Sequence, residues 1–441
     1  MGAFGLKHTI ILERRTYVMY LVVNIIGVIV YLAIAWALSK NRSKIKWRSV
    51  GIMVVLNLVI AWLLTSFAGG RAVVKGAADG FNWLVQVAYK GINFALPNWV
   101  GATGTHPAPV NFITSALLPI LLIVPLFDIL TYIGVLPWII KWIGRGLSFI
   151  TGQPKFESFF AVEMMFLGNT EALAVSKLQL TTMKAERDVT LAMMSMSCVT
   201  ASILGAYTQM VPGQFVLTAV PLNCINALIV TNMLNPVEVD PEDDTIAKIG
   251  NVGDEGGESE AAAEETGAVE SNGKRQPFFS FLGDSILGAG TLVLIITANV
   301  IAFVALAGLI DKLLGLIWKP LSLESILGVI MFIPAWLMGL NVHTAWDFSQ
   351  LMGLKLVTNE FVVMGEITGK INHFAPHYRA ILTVFLTSFA NFGTTGMIIG
   401  AFKGMVGKEK NDMISSNVGY MLLSGILVSL LSAGMVGLFV W

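Results

Sequence analysis

Apolar runs about 20 residues long, the length that crosses a bilayer, recur along most of this chain between short polar connections. Continuous runs near residues 17–38, 49–67, 110–136, 189–210, 214–233, 284–311, 378–402 and 413–440 predict eight membrane-spanning helices. Two further apolar stretches do not fit as spans. FESFFAVEMMFLGNTEALAVS (156–176) is interrupted by GNTE at 168–171, and HTAWDFSQLMGLKLVTNEFVVMGEI (343–367) by TNE at 358–360. In each, about ten apolar residues lead to a polar tip and about ten lead away, the pattern of a re-entrant helical hairpin. Non-helical backbone at that depth is tolerated only beside protein or an aqueous cavity. The expected fold is an all-α polytopic membrane protein with eight transmembrane helices and two re-entrant hairpins in an inverted repeat.

Composition agrees: 55% of the 441 residues are hydrophobic and 13% charged, against about 25% charged in soluble domains. The N-terminus leads directly into the first span with no small-residue cleavage site, so a retained span is expected rather than a cleaved signal peptide. Cys198 and Cys224 lie inside apolar segments, and no Cys/His metal spacing is visible. No cofactor is expected, and no metal site or nucleic-acid partner. Twelve of the 28 acidic residues fall within 238–270. The Gly/Ala/Ser-rich segment 238–276 around them is free of aromatics, and is expected to be a disordered cytoplasmic tether. Lys and Arg in 40–48, 141–146, 177–187, 273–275 and 403–410 share one side if both termini lie outside, which places that side in the cytoplasm. Arg71, Lys75 and Lys90 run weakly against the bias.

The two hairpins belong to a repeat. Each is followed by a span with a polar, glycine-containing middle, SCVTASILGAY (197–207) and SFANFGTTGM (388–397). Glu171 precedes Ser202 by the same 31 residues that separate Glu360 from Asn391. The first hairpin enters from inside and the second from outside, so the units are inverted copies, the sequence pointer to a secondary transporter's midplane site. Asn391, Thr394 and Thr395 share one helical face, Gly393 and Gly396 are expected to let the backbone open there, and the tips contribute Asn169, Thr170, Glu171 and Glu360. A carboxylate at mid-bilayer costs about 2.5–3.5 kcal/mol on insertion scales, so two there imply water and a polar ligand. A channel lined by carboxylates uses some of the same groups; amide, hydroxyl and carboxylate together suit a neutral polyhydroxylated ligand better.

Those residues resemble the concentrative nucleoside transporter family, whose signatures stand here as GNTE (168–171), NEFVV (359–363) and ANFGTTG (390–396). The resemblance covers nearly the whole chain. It implies secondary active import of nucleosides by cation symport, an elevator-like alternating-access mechanism, and a homotrimer in the plasma membrane. It implies a scaffold of spans one, two, three and six, and a mobile domain holding both hairpins and the other spans. The corresponding divisions are 1–137 (N-terminal scaffold spans), 138–236 (interfacial helix, first hairpin, spans four and five), 237–277 (acidic loop), 278–320 (scaffold span six) and 321–441 (second hairpin, spans seven and eight). Base contacts fall on Asn169, Thr170 and Glu171 with Ile203 as an apolar wall. Ribose contacts fall on Glu360, Asn391 and Thr394 with Phe389 beside them. Asn169 replaces the family's usual Gln, and Gly393-Thr394 its Ser-Ser.

The resemblance also bears on the coupling ion. In sodium-coupled relatives the cation lies between the first tip and the opened fourth span. The matching positions here are the side chains of Met164 and Cys198 and the carbonyls of Leu167 and Val199. Sodium is a hard cation that wants oxygen, whereas thioether and thiol sulfur are soft, so proton coupling through Glu163, Glu171 or Glu360 is expected, with sodium symport the alternative. A membrane nucleoside sensor and an intramembrane enzyme are the competing classes; HExxH and GxSxG are absent, as is a soluble signalling domain. Asp128 is expected at a helix end or interface, His343, His373 and His377 at the solvated surface, and Met193, Met194 and Met196 as core filler.

Overall fold

The computed structural model describes residues 2–97, 112–240, 242–244, 246 and 276–441, and their side chains except those of 2–16, Thr170, Glu171, Ala174 and Leu178. The described residues form helices and no strand. Six helical spans are long and apolar enough to cross a membrane. They are α1 (Gly2–Ala37), α2 (Trp47–Thr65), α4 (Ile120–Tyr132, entered through a π-turn at Ile113–Leu117), α11 (Gly213–Leu234), α12 (Phe278–Ile317) and α19 (Val418–Gly437).

The other two expected spans are not continuous. Residues 189–210 fall in α9 (Ala185–Ser195) and α10 (Ala201–Met210), and residues 378–402 in α16 (Pro376–Leu386) and α17 (Phe392–Met405), each pair separated by five non-helical or turn residues. The second break falls at 387–391, upstream of the glycines expected to open it; Gly393 and Gly396 lie within α17.

Both hairpins form. The first consists of α6 (Lys155–Leu167) and α7 (Asn169–Val175), continued by α8 (Lys177–Thr182). Its turn is the single residue Gly168 at φ +95°, ψ 176°, a left-handed conformation that a side chain rarely tolerates. The second consists of α14 (Val342–Val357) and α15 (Glu360–Ile367), turning at Thr358 and Asn359. With first arms of 13 and 16 residues, about 20 and 24 Å at 1.5 Å per residue, neither spans the about 30 Å hydrocarbon core.

The repeat is visible in the packing. An apolar or amphipathic helix lies along each first arm: α5 (Val135–Thr151) on α6, and α13 (Leu323–Trp336) on α14. Each second arm crosses to the other repeat, α7 onto α17 and α15 onto α10. On α5, Leu136, Ile140, Gly144 and Leu147 are buried while Trp138, Trp142 and Phe149 are exposed, as an interfacial helix requires. The stretch after the second span, outside the eight expected spans, is a 28-residue helix, α3 (Ala68–Ala95), with Gly70, Val74, Ala78 and Val85 on its buried face. Helices α11 and α19 pack together as the most buried spans, 72% and 67% enclosed. By contrast α12 is 6% buried over its most apolar window. At 40 residues it is about 60 Å long, twice the hydrocarbon thickness.

On the expected cytoplasmic side, α18 (Lys408–Ser416) precedes α19. Lys410 Nζ donates to the carbonyls of Leu180 and Met183, both at 2.6 Å, at the end of α8. The first acidic-loop residues are docked rather than free: Lys184 pairs with Asp240 at 3.1 Å and Asp243 at 3.3 Å, and the Lys155 amide donates to Asp244 at 2.7 Å. Arg187, buried against Glu157 at 2.7 and 2.9 Å, also donates to the Asp243 carbonyl. Most of 245–275 lies outside the described residues.

Candidate functional site

A cavity of about 700 Å³ lies where both hairpin tips meet the starts of both second half-helices. The first hairpin brings Gly168 and Asn169, the second Thr358, Asn359 and Glu360. Thr200 and Ile203 line it from the start of α10, and Phe389, Asn391 and Thr394 from the second break and α17. Of the eight expected substrate residues, six therefore border one space. The other two, Thr170 and Glu171, have side chains outside the described part of the structure.

Helix-capping chemistry explains how the polar groups are held. Asn391 is the N-cap of α17: its Oδ1 accepts from the Thr394 amide at 2.8 Å, while Nδ2 donates to Glu360 Oε2 at 3.3 Å. The helix needs an acceptor and the carboxylate a donor, so the two demands fix the amide's orientation. Asn359 caps α15 in the same way, accepting from Val362 N at 3.1 Å. Glu360 is thus the first residue of a capped helix, where the dipole favours negative charge, and it is only 2% exposed. Its Oε1 accepts from Tyr207 Oη at 2.9 Å. Thr200 caps α10 and donates to Phe166 O at 3.3 Å, and Asn169 Nδ2 reaches Ser195 O at 3.4 Å, tying the first tip to the first break. Thr395, expected on the ligand face, instead points its hydroxyl at Asn391 O at 3.2 Å and the Met196 sulfur at 3.7 Å.

Sequence reasoning missed one wall. Gly288, Thr291, Ile295, Asn299 and Phe303 form a single stripe of α12 that faces the cavity. Thr291 Oγ1 turns back to Leu287 O at 2.9 Å, whereas the half-buried Asn299 amide has no hydrogen-bond partner among the described residues. Asparagine within the most apolar span was the available signal. Phe303 sits against α17, where a Cβ on Gly393 would stand 2.9 Å from the ring. Tyr207 and the buried Lys355 were also overlooked.

The remaining candidates sort clearly. Glu163 is 1% exposed, outside the cavity lining, and accepts from Ser176 Oγ at 3.0 Å across the first hairpin. Met164 and Cys198 are buried; the Ser195 hydroxyl lies 3.5 Å from the Met164 sulfur. The carbonyls of Leu167 and Val199 belong to the end of α6 and the first break. No cluster of three or more His, Cys, Asp or Glu that could hold a metal occurs among the described residues. Asp128 hydrogen-bonds Ser285, joining α4 to α12 as an interface group. His343 and His373 are exposed, but His377 is buried, correcting its expected place. Its two ring nitrogens lie 2.8 Å from the carbonyls of Val440 and Met338, and its ring stacks on Trp441.

Family profiles match nearly the whole chain. Residues 26–99 match the Na+ dependent nucleoside transporter N-terminus, 113–213 a nucleoside recognition gate, and 215–437 the Na+ dependent nucleoside transporter C-terminus. The purine nucleoside transport protein NupG of Bacillus subtilis is 44% identical over 96% of this chain and all of its own length. The nucleoside permease NupC of Helicobacter pylori is 26% identical over 95% of this chain and 97% of its own. Among solved structures, CNTnw in an inward-facing substrate-bound state superposes with a TM-score of 0.82 at 24% identity, covering 96% of this chain and 98% of that one. A CNTnw variant in an outward-facing state gives 0.84 at 24%, covering 96% and 99%.

Proposed function

We propose, for a chain that belongs to the concentrative nucleoside transporter family, the import of purine nucleosides driven by a proton gradient. Family membership makes it a multi-pass membrane transporter of nucleosides and not an enzyme. The finer reading rests on one observation above all: the amides, hydroxyls and carboxylate of two inverted units converge on one cavity. Glu360 accepts from ribose hydroxyls, Asn391 and Thr394 complete that end, and Phe389 packs beside the sugar. Asn169, with Thr170 and Glu171, reads the base edge against Ile203. The amide's paired donor and acceptor suit a purine edge, and the relative from Bacillus subtilis is described as a purine nucleoside transport protein.

Proton coupling is favoured by sulfur at Met164 and Cys198, where a hard cation would need oxygen, and by the buried carboxylate of Glu163 beside them in the first hairpin. The exposed apolar length of α12 suits a scaffold helix that packs against further copies in a homotrimer. The mobile part, carrying both hairpins, would shuttle the cavity past it, with both termini outside and the acidic loop cytoplasmic. Purified protein in liposomes tests this, with labelled inosine, adenosine and uridine, an imposed pH gradient, and choline replacing sodium. Accumulation of inosine and adenosine that follows the pH gradient without sodium is expected. Sodium-dependent accumulation with no pH effect would overturn the coupling, and a preference for uridine would overturn the substrate class.

A further inference from the structure

The helix that carries the first tip does not cap itself. Pro154 stands at the N-cap of α6 without a side-chain acceptor, so the amides of the first turn need a partner from elsewhere. Asp244, 89 residues away in sequence, supplies one. Its Oδ1 accepts from the Lys155 amide at 2.7 Å, and its own carbonyl accepts from Lys155 Nζ at 3.1 Å. A carboxylate also suits the positive end of a helix dipole. The second hairpin differs: Asn341 caps α14 with its own side chain, accepting from the Thr344 amide at 3.0 Å.

The same acidic segment reaches α9. Arg187, in the first turn of α9, is buried against Glu157 in the first turn of α6, and its Nη1 donates to the Asp243 carbonyl at 3.1 Å. Lys184, the N-cap of α9, faces Asp240 and Asp243, but all three side chains are more than half exposed, and such pairs contribute little. The cap and the Arg187 contact weigh more, because Asp244 is 26% exposed and Arg187 3%. Both helices held in this way end in the first half of the site. Helix α6 runs to the tip at Gly168 and Asn169, and α9 to the first break, where Asn169 Nδ2 reaches Ser195 O at 3.4 Å. That contact is too long to set the tip alone. Helices are stiff along their axes, so fixing the two starts fixes how the far ends stand against each other.

We propose that Asp240, Asp243 and Asp244 form a strap that positions the first tip, with Asp244 capping α6 from a distant part of the chain. Asp244 is a positioning residue acting through α6 on Asn169, and the inference rests on the reading of Asn169 as a base contact. Undoing the strap lowers the fraction of molecules whose tip is in place, and apparent affinity falls by that fraction.

The experiment measures inosine uptake by the full chain in liposomes, with hydrogen exchange on the same samples. The variants are Asp244→Ala, Asp244→Asn, Pro154→Asp and the pair Asp244→Ala with Pro154→Asp. Asp244→Ala should raise KM about three- to tenfold with kcat within about twofold, and should speed exchange in the first turn of α6. Loss of folded protein would instead lower the maximal rate and leave KM alone. Asp244→Asn keeps an acceptor oxygen and should stay within about twofold of the parent. Pro154→Asp gives α6 an acceptor of its own and should return the Asp244→Ala protein to within about twofold. An unchanged KM in Asp244→Ala, an Asn variant as impaired as the Ala variant, or no rescue by Pro154→Asp would each overturn the strap. If Pro154→Asp alone raises KM, the difference between the Ala and Asn variants decides. An Asn169→Ala protein with unchanged KM for inosine would sink the base-contact reading instead, a separate result.

Discussion

The two breaks occupy corresponding places in the inverted units, yet they are braced in different ways. In the second, the Lys355 amine, two capping asparagines and paired serine hydroxyls hold the break and the hairpin tip, and Glu360 faces the cavity within that frame. In the first, Thr200 and Asn169 make longer contacts of 3.3 and 3.4 Å, and sulfur atoms of Met164 and Cys198 sit where the hydroxyl and amide of sodium-coupled relatives are expected. Buried side-chain hydrogen bonds close the second half on itself. In the other half the buried cation, Arg187, is spent on Glu157 away from the break, and in the proposed mechanism a proton visits it.

The sharpest way to break this contrast is to remove the acceptor of the preorganised half. Hydrogen bonds to a charged group contribute about 1.5–3 kcal/mol, so Glu360→Gln should weaken ribonucleoside transport about 10- to 150-fold while the protein still inserts. Dideoxynucleosides should suffer less, as competition assays would show. On the other side, Met164→Asn combined with Cys198→Ser puts oxygen where sulfur stands. Uptake by that variant should become sodium-stimulated, whereas the parent should be indifferent to replacing sodium with choline. If the variant remains indifferent, sulfur is not what sets the ion.

Between the two halves stands the α12 wall. If the Asn299 amide, unpartnered in the cavity wall, takes one neutral hydrogen bond from substrate, about 0.5–1.5 kcal/mol, Asn299→Leu should raise KM about 2- to 12-fold with little change in kcat. Smallest of all is the effect expected from the acidic loop. Deleting residues 245–270 leaves the docked Asp240, Asp243 and Asp244 in place, and loop closure depends weakly on length, so transport should stay within about twofold. A collapse of uptake would mean that the undescribed portion has its own task.

Much of the site could be read before the structure because hydrocarbon makes polar residues conspicuous. Asn391, Glu360 and Asn169 each interrupt an apolar run, and the spacing of 31 residues paired them. The breaks themselves were less legible, since the residues that end α9 and α16 are as apolar as those of a continuous span. Glycine signalled the wrong position: the second break is stabilised by caps and Lys355, and α17 begins before Gly393. Lys355 was hidden because a lysine near a polar tip reads as a side chain reaching for water; only packing shows that it turns inward. His377 misled for the opposite reason, for nothing in its local sequence announces that the chain's last two residues will cover it.

The glycine that does not open the helix has a mechanical consequence. Where α17 meets α12, Gly393 offers bare backbone to the ring of Phe303, with less than one methyl group of clearance. If one helix travels along the other, that backbone is a bearing surface with nothing protruding to catch the ring. Any side chain at 393 would act as a detent, stalling the journey at this stop or barring the carriage from reaching it.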